Sequence, residues 1–285
     1  MILNKINRKV PSKLYHYTDL TSTVGIISEN EFWLSNLFYL NDKYEYEVGL
    51  NLFKKYLKDK KSEYSENPKV TIFLNSLDSA LDLLETGNVF IMSFSEQSDL
   101  LSQWRGYADN CKGTRIELSS LENIKTKGIL LLPCIYSEQE QLDYVSHIVD
   151  NAIQIFNKTP ELGITNRENF GDLEKPFSDA IQKAGSDFIS KTNVACAIIK
   201  DKSFSEENEW RLLNFIDNKL FFRTKSHYVV PFIKMKISNI NSHLTDIMTC
   251  SSPEPSITEK SIRFLLNNKG FSSTELSRSK IPYRL

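Results

Sequence analysis

At 285 residues the chain can bury a full core, and 40% hydrophobic residues, 25% charged residues, 10 Gly and 9 Pro exclude the disordered and fibrous classes. A balance of 35 Lys and Arg against 36 Asp and Glu gives a net charge of -1, which removes the usual electrostatic reason for non-specific nucleic-acid binding. Cys111, Cys134, Cys196 and Cys250 are widely spaced, with no C-x-x-C pair and no histidine at metal-ligand spacing, so buried thiols in a reducing cytosol are expected and a metal is not.

The amino-terminal stretch Met1 to Lys9 lacks the apolar run and cleavage site of a signal peptide. Apolar runs such as Ile129 to Leu132 are too short to cross a bilayer, so a soluble cytoplasmic protein without a membrane partner is expected. Lys13 to Tyr17 reads as a strand, followed by a helix to Glu29 capped by Thr18 or Asp19, and by a second strand over Phe32 to Ser35. Phe38 to Asp42 reads as a turn, because Asn41 and Asp42 can satisfy local backbone donors. A helix is expected over Tyr44 to Lys58, a solvated loop over Asp59 to Pro68, and a helix over Val70 to Leu84. Val89 to Phe94 is a compact apolar strand, Leu100 to Ala108 a short helix, and Thr114 to Leu118 and Ile129 to Tyr136 further strands.

From Glu138 to Lys191 the chain turns polar, helical where it is periodic and broken near Lys158-Thr159-Pro160 and Gly171, which reads as a helical insertion or lid over 138-191. Strands return at Glu207 to Asn214, Leu220 to Arg223, Tyr228 to Ile237 and Thr245 to Cys250, with a helix over Ile257 to Asn267. The expectation is a single α+β domain over 1-285, with no repeat and no linker between separable domains.

Three distant segments alternate polar residues as a strand would: Tyr15-His16-Tyr17-Thr18, Ser93-Phe94-Ser95, and Glu207-Asn208-Glu209-Trp210-Arg211. At period two His16 shares a face with Thr18, Ser93 with Ser95, and Glu207 with Glu209 and Arg211, so an imidazole, a hydroxyl pair and a carboxylate pair could line one cleft. Blander readings stand beside this one. A lone histidine is commonly a hydrogen-bonded structural side chain, and alternating Glu and Arg a solvated face with weak ion pairs. Ser93 and Ser95 could cap backbone groups at a strand end. Trp104 and Tyr107, at helical spacing, are core or cleft wall before they are a cofactor clamp, and Asn41, Asp42 and Glu45 complete no calcium loop.

The order Y-H-Y-T, F-x-x-L-N-D with a later Glu (Phe38, Asn41, Asp42, Glu45), S-F-S, W-x-x-Y-A (Trp104, Tyr107, Ala108), Lys200 with E-x-E-W-R, and a terminal S-x-I-P-Y-R resembles the bacterial domain-of-unknown-function family DUF2971. The likeness covers nearly the whole chain, with Lys43 where the family's N-D-P has proline.

A second resemblance is to ADP-ribosyltransferases, whose three-part signature is similar to Y-H-x-T, a serine-bearing middle strand and a late E-x-E strand. That likeness implies a split mixed sheet gripping NAD as substrate. His16 would then bond a ribose, Ser95 support the cleft, Tyr39 or Tyr107 stack on nicotinamide, and Glu209 face the nicotinamide ribose. Tyr17, Thr18, Ser93, Trp104 and Arg211 would complete the NAD-binding set. A fixed carboxylate suits the positive charge that develops on the ribose as the glycosidic bond breaks, with Glu207 to orient or deprotonate an acceptor. The acceptor, whether protein, nucleic acid, small molecule or water, is not written in the sequence, and a bacterial toxin or antiphage effector is one setting. A His16, Ser95 and Glu209 hydrolase is a further reading, although no G-x-S-x-G elbow surrounds either serine. A non-catalytic sensor or partner-binding module is the third.

Overall fold

The alternation at Lys13–Thr18 folds as strand β1, and Asp19 caps the following helix α1 (Leu20–Glu29), its Oδ1 accepting the Ser22 amide at 2.6 Å. The computed structural model describes residues 8–40, 45–82, 84, 89–124, 128–158, 175–215, 219–225, 227–250 and 254–282. The expected turn at Asn41-Asp42 and the helix breaks at Thr159-Pro160 and Gly171 lie outside these residues. The chain separates into two units, a sheet unit of Arg8–Leu40, Phe90–Cys134 and Ser203–Leu285 and a helical unit of Asn41–Val89 with Ile135–Lys202.

The sheet unit is mixed and open, with flanking helices. Beside β1 its strands are β2 (Glu31–Asn36), β3 (Phe90–Ser95), β4 (Thr114–Ser119), β5 (Ile129–Pro133), β6 (Glu209–Asn214), β7 (Phe221–Lys225), β8 (Tyr228–Lys236), β9 (Leu244–Thr249) and β10 (Glu275–Arg278). They run in the order β10-β9-β4-β1-β3-β2-β8-β7, with β6 on β3 and β5 on β6. The β9–β10 pair is parallel and the other pairs are antiparallel. Strand β10 was not expected from sequence, and its partner β9 lies about one helix earlier in the chain.

One face of the sheet carries the main core, Leu14, Phe32, Leu34, Phe94, Ile116 and Trp210, covered by Ile26 and Ile27 of α1 and by Ile262 and Leu266 of helix α7 (Pro255–Asn268). Each such side chain contributes about 1.5–3 kcal/mol by leaving water. A smaller cluster of Tyr17, Trp104, Ala108, Cys111 and Cys250 includes Trp104 of helix α4 (Leu101–Tyr107), packed with Tyr15 and Met248.

In the helical unit, helix α2 (Glu45–Glu63) buries Tyr46, Gly49, Leu50, Phe53 and Leu57, the stripe expected at 3.6 residues per turn. It runs past the predicted end at Lys58, because Asp59 to Glu63, read as loop for their charge, form the wet side of its last turns. Helices α3 (Pro68–Asp82), α5 (Glu138–Asn157) and α6 (Lys175–Ile198) complete the unit, with Phe73 stacked on Phe156 at 4.2 Å and Phe53 edge-on to Phe188 at 5.8 Å. The segment expected to be a helical insertion thus supplies α5 and most of α6 to this bundle. Lys200 forms a buried ion pair with Glu45 at 3.3 Å in the same unit. Among the described residues no helix is long and apolar enough to cross a membrane, and all four cysteines are buried thiols.

Candidate functional site

Strand β3 organises the site because its two edges are used differently. Along one edge it pairs with β6 from Phe90↔Asn214 to Ser95↔Glu209. The other edge is shared: β2 holds its start through Ser35↔Ile91 and Asn36↔Phe90, and β1 its end through Tyr15↔Ser95. Between those contacts β1 and β2 part, and the Ser93 carbonyl, which meets neither in the ladder, accepts a hydrogen bond from His16 Nδ1 at 2.8 Å. A fork therefore opens in the sheet with an imidazole at its base.

His16 lies tilted against Phe94, ring centroids 5.9 Å apart. Burial, only partly offset by the Ser93 carbonyl, pulls its pKa down from 6.5 to about 4, so the ring is neutral near pH 7. A carbonyl only accepts, so the proton of the neutral ring sits on Nδ1 and Nε2 presents a lone pair. Tyr17 and Thr18 are buried. The Tyr17 hydroxyl donates to the Gln97 carbonyl at 2.8 Å and accepts from the Leu100 amide at 3.2 Å, and burial raises its pKa. Thr18 ends β1 opposite Thr114, where a Cβ at Gly113 would come within 2.1 Å of the Thr18 carbonyl oxygen, so that position requires glycine.

The E-x-E segment folds differently from the expected strand. Asn208 takes a left-handed φ of 41°, so the extended chain begins only at Glu209 and Glu207 ends a 3₁₀ turn. Glu207 and Glu209 are therefore not alternate residues of one strand. The Glu207 carboxylate accepts from the Tyr107 hydroxyl at 3.2 Å. Glu209 is buried and gripped by Arg211 through two bonds, Nε to Oε1 at 2.8 Å and Nη2 to Oε2 at 3.0 Å.

Ser95 is spoken for in both directions, its Oγ donating to the Glu207 carbonyl at 2.6 Å and accepting from the Gln97 amide at 2.9 Å. Trp104, fully buried, stands edge-on to Tyr17 at 5.1 Å and donates to Asp99 at 2.7 Å, which makes it core and not a stacking clamp. Asp99, unnoticed in the sequence, also accepts from the Ser279 hydroxyl and the Lys280 amide, tying the S-x-I-P stretch to α4. Tyr39 is exposed in a 3₁₀ turn after β2, its carbonyl accepting from Tyr228 at 3.4 Å.

Register decides which of these groups can meet. Tyr15 stands opposite Ser95 and Ser95 opposite Glu209, so Tyr15, Tyr17, Ser93, Ser95, Glu209 and Arg211 share one face of the sheet. His16, one residue on, points to the other face with Leu14 and Phe94. The expectation that His16 and Glu209 flank one sugar from a common face is corrected, because the offset between Y-H-Y-T and S-F-S is odd. A Ser95, His16 and Glu209 triad is likewise not assembled, since His16 bonds a main-chain carbonyl and Ser95 Oγ bonds Glu207.

Arg223 of β7 reaches Ser22 of α1 and Ser35 of β2, none of them singled out in the sequence, and by register Ser35 and Arg223 lie on the face of Ser93, opposite His16. A lone arginine in F-F-R-T-K carries no local motif; alternation in β7, with Phe222 exposed and Arg223 turned to the other face, was the one available signal. Among the described residues no group of three or more His, Cys, Asp or Glu is placed to hold a metal ion.

Residues 103–212 match a family model described as "Protein of unknown function (DUF2971)", which bears out the DUF2971 resemblance over that stretch, the one that carries Trp104, Tyr107, Lys200, Glu207, Glu209 and Arg211. Comparison with curated proteins and with solved structures finds no match.

Proposed function

We propose that this is an NAD-handling protein of ADP-ribosyltransferase-like architecture, which takes NAD at the fork between β1 and β2 and cleaves its nicotinamide glycosidic bond, passing ADP-ribose to an acceptor or to water. The observation that carries the reading is strand adjacency: the glutamate, serine and histidine motifs, dispersed over the sequence, lie on three neighbouring strands, β6, β3 and β1, and the sheet parts beside the last of them. His16 supports it chemically, because an Nε2 lone pair suits a ribose hydroxyl donor. In this reading the Arg211 clamp fixes the orientation of the Glu209 carboxylate, which acts from the face of the sheet opposite His16 on a different part of NAD.

A second reading, a sensor that binds NAD without turning it over, is favoured by one observation. The carboxylate is already paired to Arg211 and faces away from His16. Incubation with NAD labelled in both the adenosine and the nicotinamide, with and without cell lysate, separates the two. Release of nicotinamide that Glu209→Gln abolishes supports catalysis. Saturable binding with NAD recovered intact supports the sensor, and neither binding nor release removes NAD from the account.

A further inference from the structure

We infer that Arg223, Ser22 and Ser35 form an anion cup that receives a phosphate group of a small-molecule ligand. Arg223 Nη2 donates to Ser35 Oγ at 2.8 Å and Nη1 to Ser22 Oγ at 3.4 Å. Both serines are buried, and each spends an acceptor lone pair on the guanidinium, so its own hydroxyl hydrogen is left to donate. Arg223 Nε is buried with no hydrogen-bond partner. Among the described residues no carboxylate lies within ion-pair distance of Arg223. Asp19, the carboxylate that acts on it through space, spends Oδ1 on the Ser22 amide.

Buried guanidinium groups are ordinarily matched by a carboxylate, and Arg211 and Arg115 of this sheet both are. Arg223 instead has two neutral hydroxyls, a net positive charge, and three N–H and two O–H hydrogens left without acceptors. Tetrahedral oxyanions meet that arrangement: a guanidinium plane faces two oxygens and hydroxyls reach the others. The Phe232 ring, 5.8 Å from the guanidinium carbon, holds its plane, and partial exposure leaves the group reachable from solvent. His16, neutral and within electrostatic reach of Arg223, adds no charge of its own.

The cup is argued from these groups alone and stands whether or not NAD is the ligand. Isothermal titration of the full chain with inorganic pyrophosphate, at constant ionic strength against chloride, should give saturable binding that Arg223→Gln weakens by about tenfold or more. The Ser22→Ala/Ser35→Ala double variant should weaken it as well, and decides the matter if Arg223→Gln does not fold. No saturable binding by the natural chain, or an affinity unchanged in the folded variants, overturns the cup. A parallel titration with NAD keeps the two ideas apart. Pyrophosphate binding without NAD binding leaves the cup and removes NAD, whereas NAD binding without saturable pyrophosphate binding removes the cup and leaves NAD.

Discussion

Because the Ser93 carbonyl fixes the proton of His16 on Nδ1 and burial holds the ring neutral, the residue acts as a hydrogen-bond acceptor and not as a cation. Its folded pKa, about 4, lies below the ordinary 6.5, so between those values the unfolded chain binds more protons than the folded one. The stability this contributes is complete above pH 6.5 and is lost as pH falls toward 4, on the order of 3 kcal/mol over the window. Urea unfolding at pH 7 and pH 5 should therefore show a larger drop for the natural chain than for His16→Asn, whose amide can donate to the same carbonyl without titrating. An equal drop in both would assign the pH dependence to other groups. Glu209 presents the opposite case, a charge that is buried and matched. Glu209→Gln removes the two-bond partner of a buried guanidinium and is expected to cost about 3 kcal/mol, read as a lowered urea midpoint. Adding Arg211→Met should recover part of that loss, since an apolar side chain leaves no buried charge behind. Any turnover assay on Glu209→Gln needs that midpoint beside it.

Elements were legible where periodicity is local. The strands at Lys13–Thr18, Phe90–Ser95 and Thr114–Ser119 and the helices at Leu20–Glu29 and Pro68–Asp82 follow from spacing of two or 3.6 read within a dozen residues. Strand β10, four residues reading E-L-S-R, has no such signal, because what makes it a strand is its pairing with β9. The site was harder for the same reason. Which face His16 takes depends on Tyr15 pairing with Ser95, and Glu207 left the strand because Asn208 went left-handed, neither of which is written in the residue order. Arg223 finds Ser22 and Ser35 across sequence separations of 201 and 188. In the helical unit one contact gives a sharp prediction. A Cβ on Gly49 of α2 would lie 2.8 Å from Cys196 Cα of α6. Alanine gains about 1 kcal/mol of helix propensity there, but overpacking against backbone, which cannot rotate away, costs about 1–3 kcal/mol. Gly49→Ala should therefore lower stability by about 1 kcal/mol in chemical denaturation. A stabilised variant would mean that the two helices separate freely.

Across the whole molecule, the chain passes between its two units at Leu40/Asn41, Val89/Phe90, Cys134/Ile135 and Lys202/Ser203, and His16, Ser22, Ser35 and Arg223 all belong to the sheet unit. Ligand at about 100 times its Kd stabilises the folded state by about 2.7 kcal/mol, and where amide exchange slows reports where contacts form. If NAD or pyrophosphate occupies the fork, exchange should slow first at 15–23 and 33–36, the segments carrying His16, Ser22 and Ser35, and at 221–224 around Arg223. The β6 amides of Glu209–Asn214 lie in a ladder with β3 and β5 on both edges, so they are protected already and should change little. The competing outcome is equally specific. Slowing confined to 99–107 and 203–209, around Tyr107 and Glu207, with the fork unchanged, would move the ligand from the fork to the Ser95 and Glu209 end of β3 and β6. Glu209 would then sit beside it and His16 would be a structural plug. Exchange mass spectrometry with both ligands thus decides which of these two places on the sheet is the working one, independently of whether any bond in NAD is broken.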